Sequence, residues 1–551
     1  MGASTWDREV DFVVMGSGAA GLTGALAAAS RGLDVLVVEK AGVFGGTTAV
    51  SGGVIWAPNN HRMREAGLQD SSEEALTYMR RVADGRAPDA LIERYVDAIP
   101  EVLRFVESAA PIELAALTTY PDYQPELPGG RLGGRSLDNG LFDTNRLGAL
   151  QPLLRQNPIT GRAPITIDEA VRWGVFYDPM GLPYKEVSAR AKAGVVHGGA
   201  ALIGKLLLGC RDAGVTLLSG CPGRELVVDA GGAVRGLVVE RAGEGDASAG
   251  VERIHARRGV LLASGGFEWD TALRRAFLPL GLERLVSPPQ MRGDGLRMAM
   301  ALGAELGNMA EAWWTPAVSL PGETYDAAPL HRSEFSVRCL PHSIIVNARG
   351  QRFTPEAGNY NDITKPFFDH DPTRCTRRNL PAWLLVDQQY LDRYVLVTAV
   401  KGRPLPEWLV AEQTLGALAA RAGIDGAGLE ATVERFNRFA SEGVDHDFGR
   451  GKSAFDRFYG DPRHAPNPNL GTIEVPPFYA LPIHPSAMGT KGGPRTDVDA
   501  RVLRVDGAPI AGLYAAGNVA ASPMGAGYPG AGSTIGAAMC WGYLAALHAA
   551  G

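Results

Sequence analysis

The stretch from Val10 to Glu39 constrains the fold more than any other part of the chain. It begins with an apolar run of strand length and continues with GSGAAG, in which Gly16, Gly18 and Gly21 form a GxGxxG pattern. An alanine-rich segment typical of a helix follows, and then a second apolar run that ends at Glu39. A lone GxGxxG would be weak evidence in a chain with 70 glycines. Here strand, helix, second strand and acid have the spacing of a dinucleotide-binding βαβ unit.

Each residue type in this unit has a physical task. The first glycine makes a tight turn, the second lets a pyrophosphate approach the backbone, and the third lets helix and strand pack closely. The helix N-terminus offers amide groups and a favourable dipole to the phosphates. Glu39 would accept both hydroxyls of an adenosine ribose and would disfavour a 2′-phosphate. The sequence therefore predicts a dinucleotide site.

The run KAGVFGGTTAVSGG, from Lys40 to Gly53, bears on which dinucleotide is bound. Its GG, TT and SGG elements directly after the ribose acid resemble FAD enzymes of the fumarate reductase and 3-ketosteroid dehydrogenase superfamily. In that family such a run would lie along the pyrophosphate and toward the flavin ring, whereas the plainer alternative is a flexible glycine loop. The resemblance implies FAD, and we find no second GxGxxG for NAD(P)H. Because the glycine loops contain no histidine, we expect the FAD to be held non-covalently.

Two later segments also resemble FAD-binding elements. Arg257 to Asp270 is predicted to be a strand that ends in Ser-Gly-Gly, and Gly512 to Ser522 a strand followed by Gly-Asn. Because these elements lie far apart along the chain, we predict an α/β protein: a discontinuous Rossmann-like FAD-binding domain, 1–305 and 484–551, with an inserted α+β catalytic domain at 306–483. The residues predicted to hold the cofactor are Gly16, Ser17, Gly18, Ala19, Ala20, Gly21, Glu39, Lys40, Gly45, Gly46, Thr47, Thr48, Ser51, Gly52, Gly53, Ala263, Ser264, Gly265, Gly517, Asn518, Thr534 and Ile535.

Composition limits the kinds of binding partner and the cellular compartment that we expect for this protein. The net charge is −6 and there is no basic block, which argues against nucleic acid. The five cysteines are scattered and form no CxxC pair, so we expect neither a disulfide framework nor a metal site. We read no charged leader before an apolar core at the N-terminus and no apolar run of about 18 residues. A cytoplasmic protein is expected, with a peripheral membrane association left open because the expected substrate is apolar.

A glycine-rich loop near the C-terminus, MGAGYPGAGSTIG from Met524 to Gly536, surrounds a single tyrosine, Tyr528. A substrate carboxylate would call for arginine, and fumarate reductases carry an arginine in this loop. Between Ser522 and Cys540 this chain has no arginine, lysine or histidine. A neutral phenol donates one hydrogen bond, which suits a neutral carbonyl whose oxygen gains charge during a reaction.

Several motifs together resemble the 3-ketosteroid Δ1-dehydrogenases. They are YPDYQPELPGGRLGGRSL (120–137), IIVNARGQRFTPEAGNY (344–360), GTKGGPRTD (489–497), GLYAAGNV (512–519) and GYPGAG (527–532). They occur in order over nearly the whole chain. The family's loop more often reads TYPGPG, and Gly527 and Ala531 depart from it. This departure bears on the detail of the expected pocket more than on the expected chemistry.

The resemblance implies roles for four residues. Tyr528 and the backbone amide of Gly532 would hold the 3-keto oxygen of a steroid, which acidifies the C2 hydrogen. Tyr360 would remove that proton as a phenolate, and Tyr123 would hydrogen-bond to Tyr360. The C1 hydride would pass to flavin N5, introducing the 1,2 double bond. Electrons would then leave to an external quinone or redox protein.

Plainer readings and rival functions stay open at this point. Tyr123 and Tyr360 could simply pack with their hydroxyls satisfied, and Tyr120 is an alternative partner for the base. Trp313 and Trp314 could line a flat pocket or belong to the core, and a structural role is favoured for His484. The rival functions are a fumarate-reductase-like enzyme, a 3-ketosteroid Δ4-dehydrogenase, and a flavin-binding redox sensor without turnover.

Overall fold

The predicted βαβ unit forms the middle of a largely parallel sheet. The computed structural model describes residues 6–241 and 250–551. The strands of this first sheet lie in the order Arg501–Leu503, Pro509–Ala515, Gly250–Leu262, Arg8–Met15, Val35–Val38 and Thr216–Leu218. The strands Gly223–Val228 and Val234–Arg241 form a hairpin whose second strand pairs with Gly250–Leu262. Strands from both ends of the chain therefore build one sheet, which confirms the α/β class.

Three helices cover one face of this sheet: Ala19–Ala29, Gly198–Asp212 and Ser533–Ala550. The first and last of them approach each other to backbone distance. A Cβ placed on Gly24 would lie 2.8 Å from the Gly542 carbonyl oxygen, and one on Gly542 would lie 2.2 Å from that of Ala20. The alanine and glycine content of both helices thus reflects tight helix–helix packing as well as cofactor binding.

The second sheet is antiparallel and belongs to the inserted part of the chain. Its strands lie in the order Ala328–Ser333, Ala312–Tyr325, Phe478–Thr490, Ala382–Asp387 and Ser343–Asn347, with Val410–Glu412 also paired to Phe478–Thr490. Helices Leu415–Ala422 and Gly426–Glu442 pack on it through Leu418, Leu429 and Phe436. The domain limits at 306 and 483 stay a prediction; strand Phe478–Thr490 runs across the second of them.

Smaller elements complete the fold. The other α-helices are Gly46–Ala49, His61–Glu65, Ser72–Ala83, Asp89–Ala109, Ile167–Arg172, Tyr184–Lys192, Thr271–Phe277, Asp294–Ala301, Tyr360–Thr364, Gln388–Arg393 and Ala454–Phe458. Short strands are Ile55–Trp56, Ala115–Ala116, Ser136–Asp138, Phe142–Asp143, Val195–Val196, Leu306–Gly307, His370–Asp371, Thr376–Arg377 and Gly493–Pro494. The 3₁₀ turns are Thr144–Leu153, Pro179–Gly181, Val337–Cys339, Lys365–Phe368 and Gly517–Val519. Within the described ranges, no helix combines the length and the apolar character needed to cross a bilayer.

Three local features interrupt the simpler elements. The helical stretch 71–109 is broken at Asp84, which takes a left-handed conformation at φ 53°, and at Pro88. The mostly irregular stretch 448–471 contains the helix Ala454–Phe458, which begins after a Ser453 cap. After the Asn-Ala-Arg-Gly turn, the chain pairs through a single bridge between Val346 and Arg352.

Candidate active site

One cavity of about 660 Å³ lies between the two sheets and is lined by residues from both domains. Its floor is formed at the carboxyl ends of the parallel strands Arg8–Met15 and Gly250–Leu262, where ligands of open α/β sheets bind. All the residues predicted to hold the cofactor line it except Gly21 and Gly45, and so do Tyr123, Tyr360, Tyr528 and Gly532. The structure thus brings the predicted cofactor and substrate groups into one space.

The three motif glycines have two different environments. A Cβ on Gly16, at φ +115°, would lie 2.3 Å from the Ala263 oxygen, and one on Gly21 would lie 2.0 Å from the Gly16 oxygen. Both positions therefore need glycine for packing. A Cβ on Gly18 would meet only the Thr48 hydroxyl, at 3.5 Å, and Gly18 lines the cavity. Gly18 is thus the position at which a pyrophosphate can approach the backbone.

Polar groups around this loop are preorganised. The Glu39 carboxylate accepts hydrogen bonds from the Ser17 amide at 3.1 Å, the Ser17 hydroxyl at 2.7 Å and the Ala41 amide at 2.9 Å. The Ala19 amide donates to the Thr48 hydroxyl at 3.1 Å. The Thr47 hydroxyl is buried and has no partner in the described protein, as expected of a group that awaits a ligand. A fixed ribose acid, an open glycine and an unpartnered hydroxyl at a helix N-terminus fit FAD.

Tyr123, Tyr360 and Tyr528 meet at the substrate side of the cavity. The Tyr123 and Tyr360 hydroxyl oxygens are 2.5 Å apart. The Tyr528 ring lies edge-on to both, with centroids 5.0 Å from Tyr123 and 5.6 Å from Tyr360. The structure therefore pairs Tyr360 with Tyr123, whereas the Tyr120 hydroxyl faces Tyr459.

The Gly532 amide lies beside the Tyr528 hydroxyl in the lining of the cavity. Burial raises the pKa of Tyr528, and hydrogen bonds from Thr534, Tyr360 and the Gly532 amide oppose that shift. Gly532 adopts φ +95° at the start of the C-terminal helix, and a Cβ there would lie 2.3 Å from the Val54 oxygen. Only glycine can place its amide beside the phenol in this turn.

The tyrosines of this cluster are neutral phenols at rest. Burial raises the pKa of Tyr360 well above its usual value, and the hydrogen bond with Tyr123 works against that shift. Burial raises the pKa of Tyr123 in the same direction. Removing a proton from Tyr360 therefore requires help from its neighbours or an alkaline medium.

A buried lysine holds the tyrosine loop. The Lys491 ammonium donates to the carbonyl oxygens of Ala526 at 3.0 Å and Gly527 at 2.7 Å, and it lies 4.4 Å from the Trp313 ring centroid. Burial lowers the pKa of Lys491 to about 7. Lys491 stands in the GTKGG motif, but no local pattern predicted this contact. It fixes the backbone just before Tyr528.

Trp313, Trp314 and His484 have different surroundings in the structure. Trp313 lines the cavity, packs on Tyr528 with centroids 4.7 Å apart, and donates to Asn518 at 3.0 Å. Trp314 packs against Phe368 in an apolar cluster. Burial lowers the pKa of His484 to about 4, and the structural role favoured for it stays a prediction.

Much of the remaining lining is apolar, and many of these residues lie in segments that sequence reasoning passed over. These residues come mainly from 158–182 and 286–335; no motif marks them, because only the tertiary fold brings them over the cavity. They are Pro158, Ile159, Ala163, Ile165, Val175, Phe176, Leu182, Val286, Leu330 and Phe335. Among the described residues, the basic side chains in the lining are Lys40, His197 and His331. Lys40 is bonded to Asp294 at 2.5 Å, and burial lowers the pKa of both histidines.

Comparison with known proteins agrees with this geometry. The pattern of the FAD binding domain family matches residues 11–535. The 4-oxocyclohexanecarboxylate 2-dehydrogenase of Sinomonas cyclohexanicum is 43% identical, over 98% of this chain and 93% of that protein. The 3-oxosteroid 1-dehydrogenase of Mycobacterium tuberculosis is also 43% identical, over 98% of each. The crystal structure of 3-ketosteroid Δ1-dehydrogenase from Sterolibacterium denitrificans, in complex with 1,4-androstadiene-3,17-dione, superposes with a TM-score of 0.89 at 35% identity, over 98% of this chain and 99% of that one.

Proposed function

The chain belongs to the family of FAD-dependent dehydrogenases that includes the 3-oxosteroid 1-dehydrogenases, and on this premise we propose that it introduces a C1–C2 double bond into the A ring of a 3-ketosteroid. The observation that carries the proposal is the convergence of the Tyr528 hydroxyl and the Gly532 amide beside Tyr360 in an apolar cavity. Two adjacent donors suit a carbonyl oxygen, and the Tyr360 phenol beside them suits the neighbouring carbon.

Each residue has a task in this proposal. Tyr528 and the Gly532 amide donate to the 3-keto oxygen and stabilise the charge that develops on it. Tyr360, as phenolate, takes the proton from C2, and Tyr123 donates a hydrogen bond to the phenolate oxygen. Bound FAD supplies a two-electron acceptor beside these groups. The electrons leave to an external quinone or redox protein, and the protein meets its apolar substrate in the cytoplasm or at a membrane surface.

Electrostatics favours a steroid over 4-oxocyclohexanecarboxylate, the substrate named for the Sinomonas relative. That ketone carries a carboxylate, which calls for an arginine or lysine partner. In the described lining, Lys40 is already paired with Asp294, and both histidines are shifted toward the neutral form. The many apolar side chains suit a fused hydrocarbon ring system better.

Anaerobic mixing with three ketones tests the proposal. Androst-4-ene-3,17-dione should bleach the flavin absorbance and give a 1,4-diene-3-one, read from its ultraviolet spectrum. With 5α-androstane-3,17-dione, a 1-ene product supports the proposal, whereas a 4-ene product would assign Δ4-dehydrogenation instead. Faster bleaching by 4-oxocyclohexanecarboxylate than by either steroid would overturn the steroid assignment. Tyr360→Phe is the control, because it should retain FAD and lose bleaching.

A further inference from the structure

We propose that Gln124 and Tyr78 are positioning residues that hold the three tyrosines of the site at fixed distances from one another. Those tyrosines are Tyr123, Tyr360 and Tyr528. The inference rests on the proposed function, in which the three phenols act together on one ketone. Within the described ranges, neither Gln124 nor Tyr78 belongs to the lining of the cavity, so both act through the tyrosines.

The Gln124 side chain joins the two segments that carry Tyr123 and Tyr360. Its Nε2 donates to Asp362 Oδ2 at 2.8 Å. Gln124 directly follows Tyr123, and Asp362 lies in the short helix Tyr360–Thr364, two residues after Tyr360. The two segments are far apart along the chain, so a bond between them is needed to keep the phenols together. This bond holds the Tyr123 and Tyr360 hydroxyl oxygens in contact, 2.5 Å apart.

Asp362 is a fixed and charged acceptor for this bond. Burial would raise the pKa of its carboxyl, but the Lys365 ammonium and three side-chain hydrogen bonds hold that pKa below its usual value. The three donors are Gln124, Asn359 and Asn361, at 2.8, 2.9 and 3.0 Å. A hydrogen bond to a carboxylate is roughly twice as strong as one between neutral groups. Gln124 therefore has a strong partner whose place is set by its other contacts.

Tyr78 joins the same loop to the segment that carries Tyr528. The Tyr78 hydroxyl donates to the Pro529 carbonyl oxygen at 2.6 Å and accepts from the Gln124 backbone amide at 3.2 Å. The Tyr123 amide donates to the same Pro529 oxygen at 2.9 Å. A phenol can donate its one proton and still accept, so the fully buried Tyr78 satisfies both backbone groups at once. Pro529 directly follows Tyr528, so these bonds fix Tyr528 beside Tyr123.

The contacts form one path from Asp362 through Gln124 and Tyr78 to Pro529. The proposed reaction needs a donor at the carbonyl oxygen and a base at the neighbouring carbon in the same instant. A misplacement of about 1 Å caused by a distant substitution can cost about 10²-fold in rate. The apolar walls that would bind the steroid are separate from this path. Its loss should therefore lower kcat and leave KM nearly unchanged.

Gln124→Met tests the inference through anaerobic flavin reduction by androst-4-ene-3,17-dione. The substitution keeps the length of the side chain and removes the donor, so the rate at saturating steroid should fall roughly 5- to 50-fold, with KM changed less than about twofold. In a Tyr123→Phe background it should change the rate less than about twofold, because Gln124 acts through Tyr123. Equal losses in the two backgrounds, or no loss in Gln124→Met alone, would overturn the inference.

Glu126→Met is the matched control on the same loop. The Glu126 carboxylate accepts from the Ser453 hydroxyl at 3.0 Å and from the Ala454 amide at 2.8 Å, so it also bridges the two parts of the chain. Its removal should leave the rate of flavin reduction unchanged. A loss equal to that of Gln124→Met would point to a general effect of the bridging contacts and would overturn the inference.

Tyr78→Phe tests the second link and decides the case if Gln124→Met does not fold. It removes only the hydroxyl, and the rate of flavin reduction should fall roughly 3- to 10-fold. In a Tyr528→Phe background the further loss should be less than about twofold. A Tyr78→Phe enzyme with the full rate would overturn the inference.

Crystal structures need no substrate and so separate this inference from the proposed function. With FAD bound, the distance between the Tyr123 and Tyr360 hydroxyl oxygens should lengthen in Gln124→Met to more than about 3.0 Å, the upper limit for such a hydrogen bond. If no ketosteroid reduces the flavin but this distance lengthens, the proposed function fails and the positioning role stands. If steroids reduce the flavin and the distance stays as in the wild type, the reverse holds.

Discussion

Tyr528 accepts a hydrogen bond from the Thr534 hydroxyl at 3.1 Å, and its own proton remains available for a ligand. This makes it a donor whose position is fixed before substrate arrives, which is the condition for an effective oxyanion contact. Loss of one such donor costs about 10²- to 10³-fold in rate. We therefore expect Tyr528→Phe to reduce kcat/KM for androst-4-ene-3,17-dione by about that factor while FAD content stays the same. A fall of less than tenfold would show that the Gly532 amide suffices.

In the proposed mechanism, Tyr360 determines how the reaction rate depends on pH. Because burial raises its pKa, the neutral phenol predominates across neutral pH, and the reactive phenolate grows about tenfold per pH unit until the pKa is reached. The rate of flavin reduction should therefore rise with pH and level off only in the alkaline range. Tyr360→Phe should lower the rate about 10²- to 10⁴-fold and abolish that rise. A wild-type profile that is already flat below pH 7 would exclude a tyrosine base.

The predictability of these residues from sequence differs from one to another. Tyr528 stood out because a loop without cations surrounds a single phenol. Tyr123 and Tyr120 could be told apart only by motif position, since both lie in one short loop. Tyr459 gave no signal, because its contact with Tyr120 joins positions 339 residues apart. Long-range contacts of this kind follow from packing between domains and leave no local pattern.

At the scale of the elements, different glycines of the GxGxxG loop are expected to serve folding and cofactor binding. Gly21→Ala would drive a methyl group into the Gly16 carbonyl, so we expect poor folding and little soluble protein. The methyl group added in Gly18→Ala clashes with no protein atom, but it occupies space in the cavity. This variant should therefore fold normally but bind FAD more weakly. Circular dichroism measures the first effect and flavin content after gel filtration the second. Full flavin occupancy in Gly18→Ala would contradict the assigned role.

The backbone of the C-terminal loop is held by one buried hydrogen-bond donor, the Lys491 ammonium. Lys491→Met keeps the length of the side chain but leaves the Ala526 and Gly527 carbonyl oxygens without their donor. An unsatisfied buried acceptor costs about 1–3 kcal/mol, so denaturant unfolding should show a loss of roughly 2–4 kcal/mol. Because Tyr528 follows directly, kcat should fall more than KM rises. Unchanged stability would mean that water replaces the ammonium.

Elements with a strong local pattern were predictable, and those set by tertiary contacts were not. The strand–glycine–helix–strand unit follows from turn chemistry and periodicity within some thirty residues. The break at Asp84 is followed by Gly85 and Pro88, both of which commonly end helices, whereas the helix Ala454–Phe458 spans only five residues. Such a short helix is marginal by itself and owes its existence to the burial of Phe455 in the main core.

The whole molecule places its candidate site between the two sheets. Tyr123 and Tyr528 come from the FAD-binding part and Tyr360 from the inserted part. Polar contacts tie the two together: Gln124 donates to Asp362 at 2.8 Å, and the Ala454 amide donates to Glu126 at 2.8 Å. The sequence predicted that the FAD domain is discontinuous, since its motifs lie at both ends of the chain. Which faces would meet could not be read from it, because that depends on the packing of both sheets.

FAD should therefore stabilise the whole molecule. The cavity is built from both domains, so a ligand that binds only the folded protein stabilises their contact as well as the first sheet. At a hundredfold excess over its Kd, FAD would add about 2.7 kcal/mol. We expect calorimetry to show one transition that moves upward with added FAD, and Gly18→Ala to lose most of that shift. Two transitions, of which FAD moves only one, would show that the inserted domain unfolds by itself. The tyrosine pairs would then be a product of domain docking rather than a condition of folding.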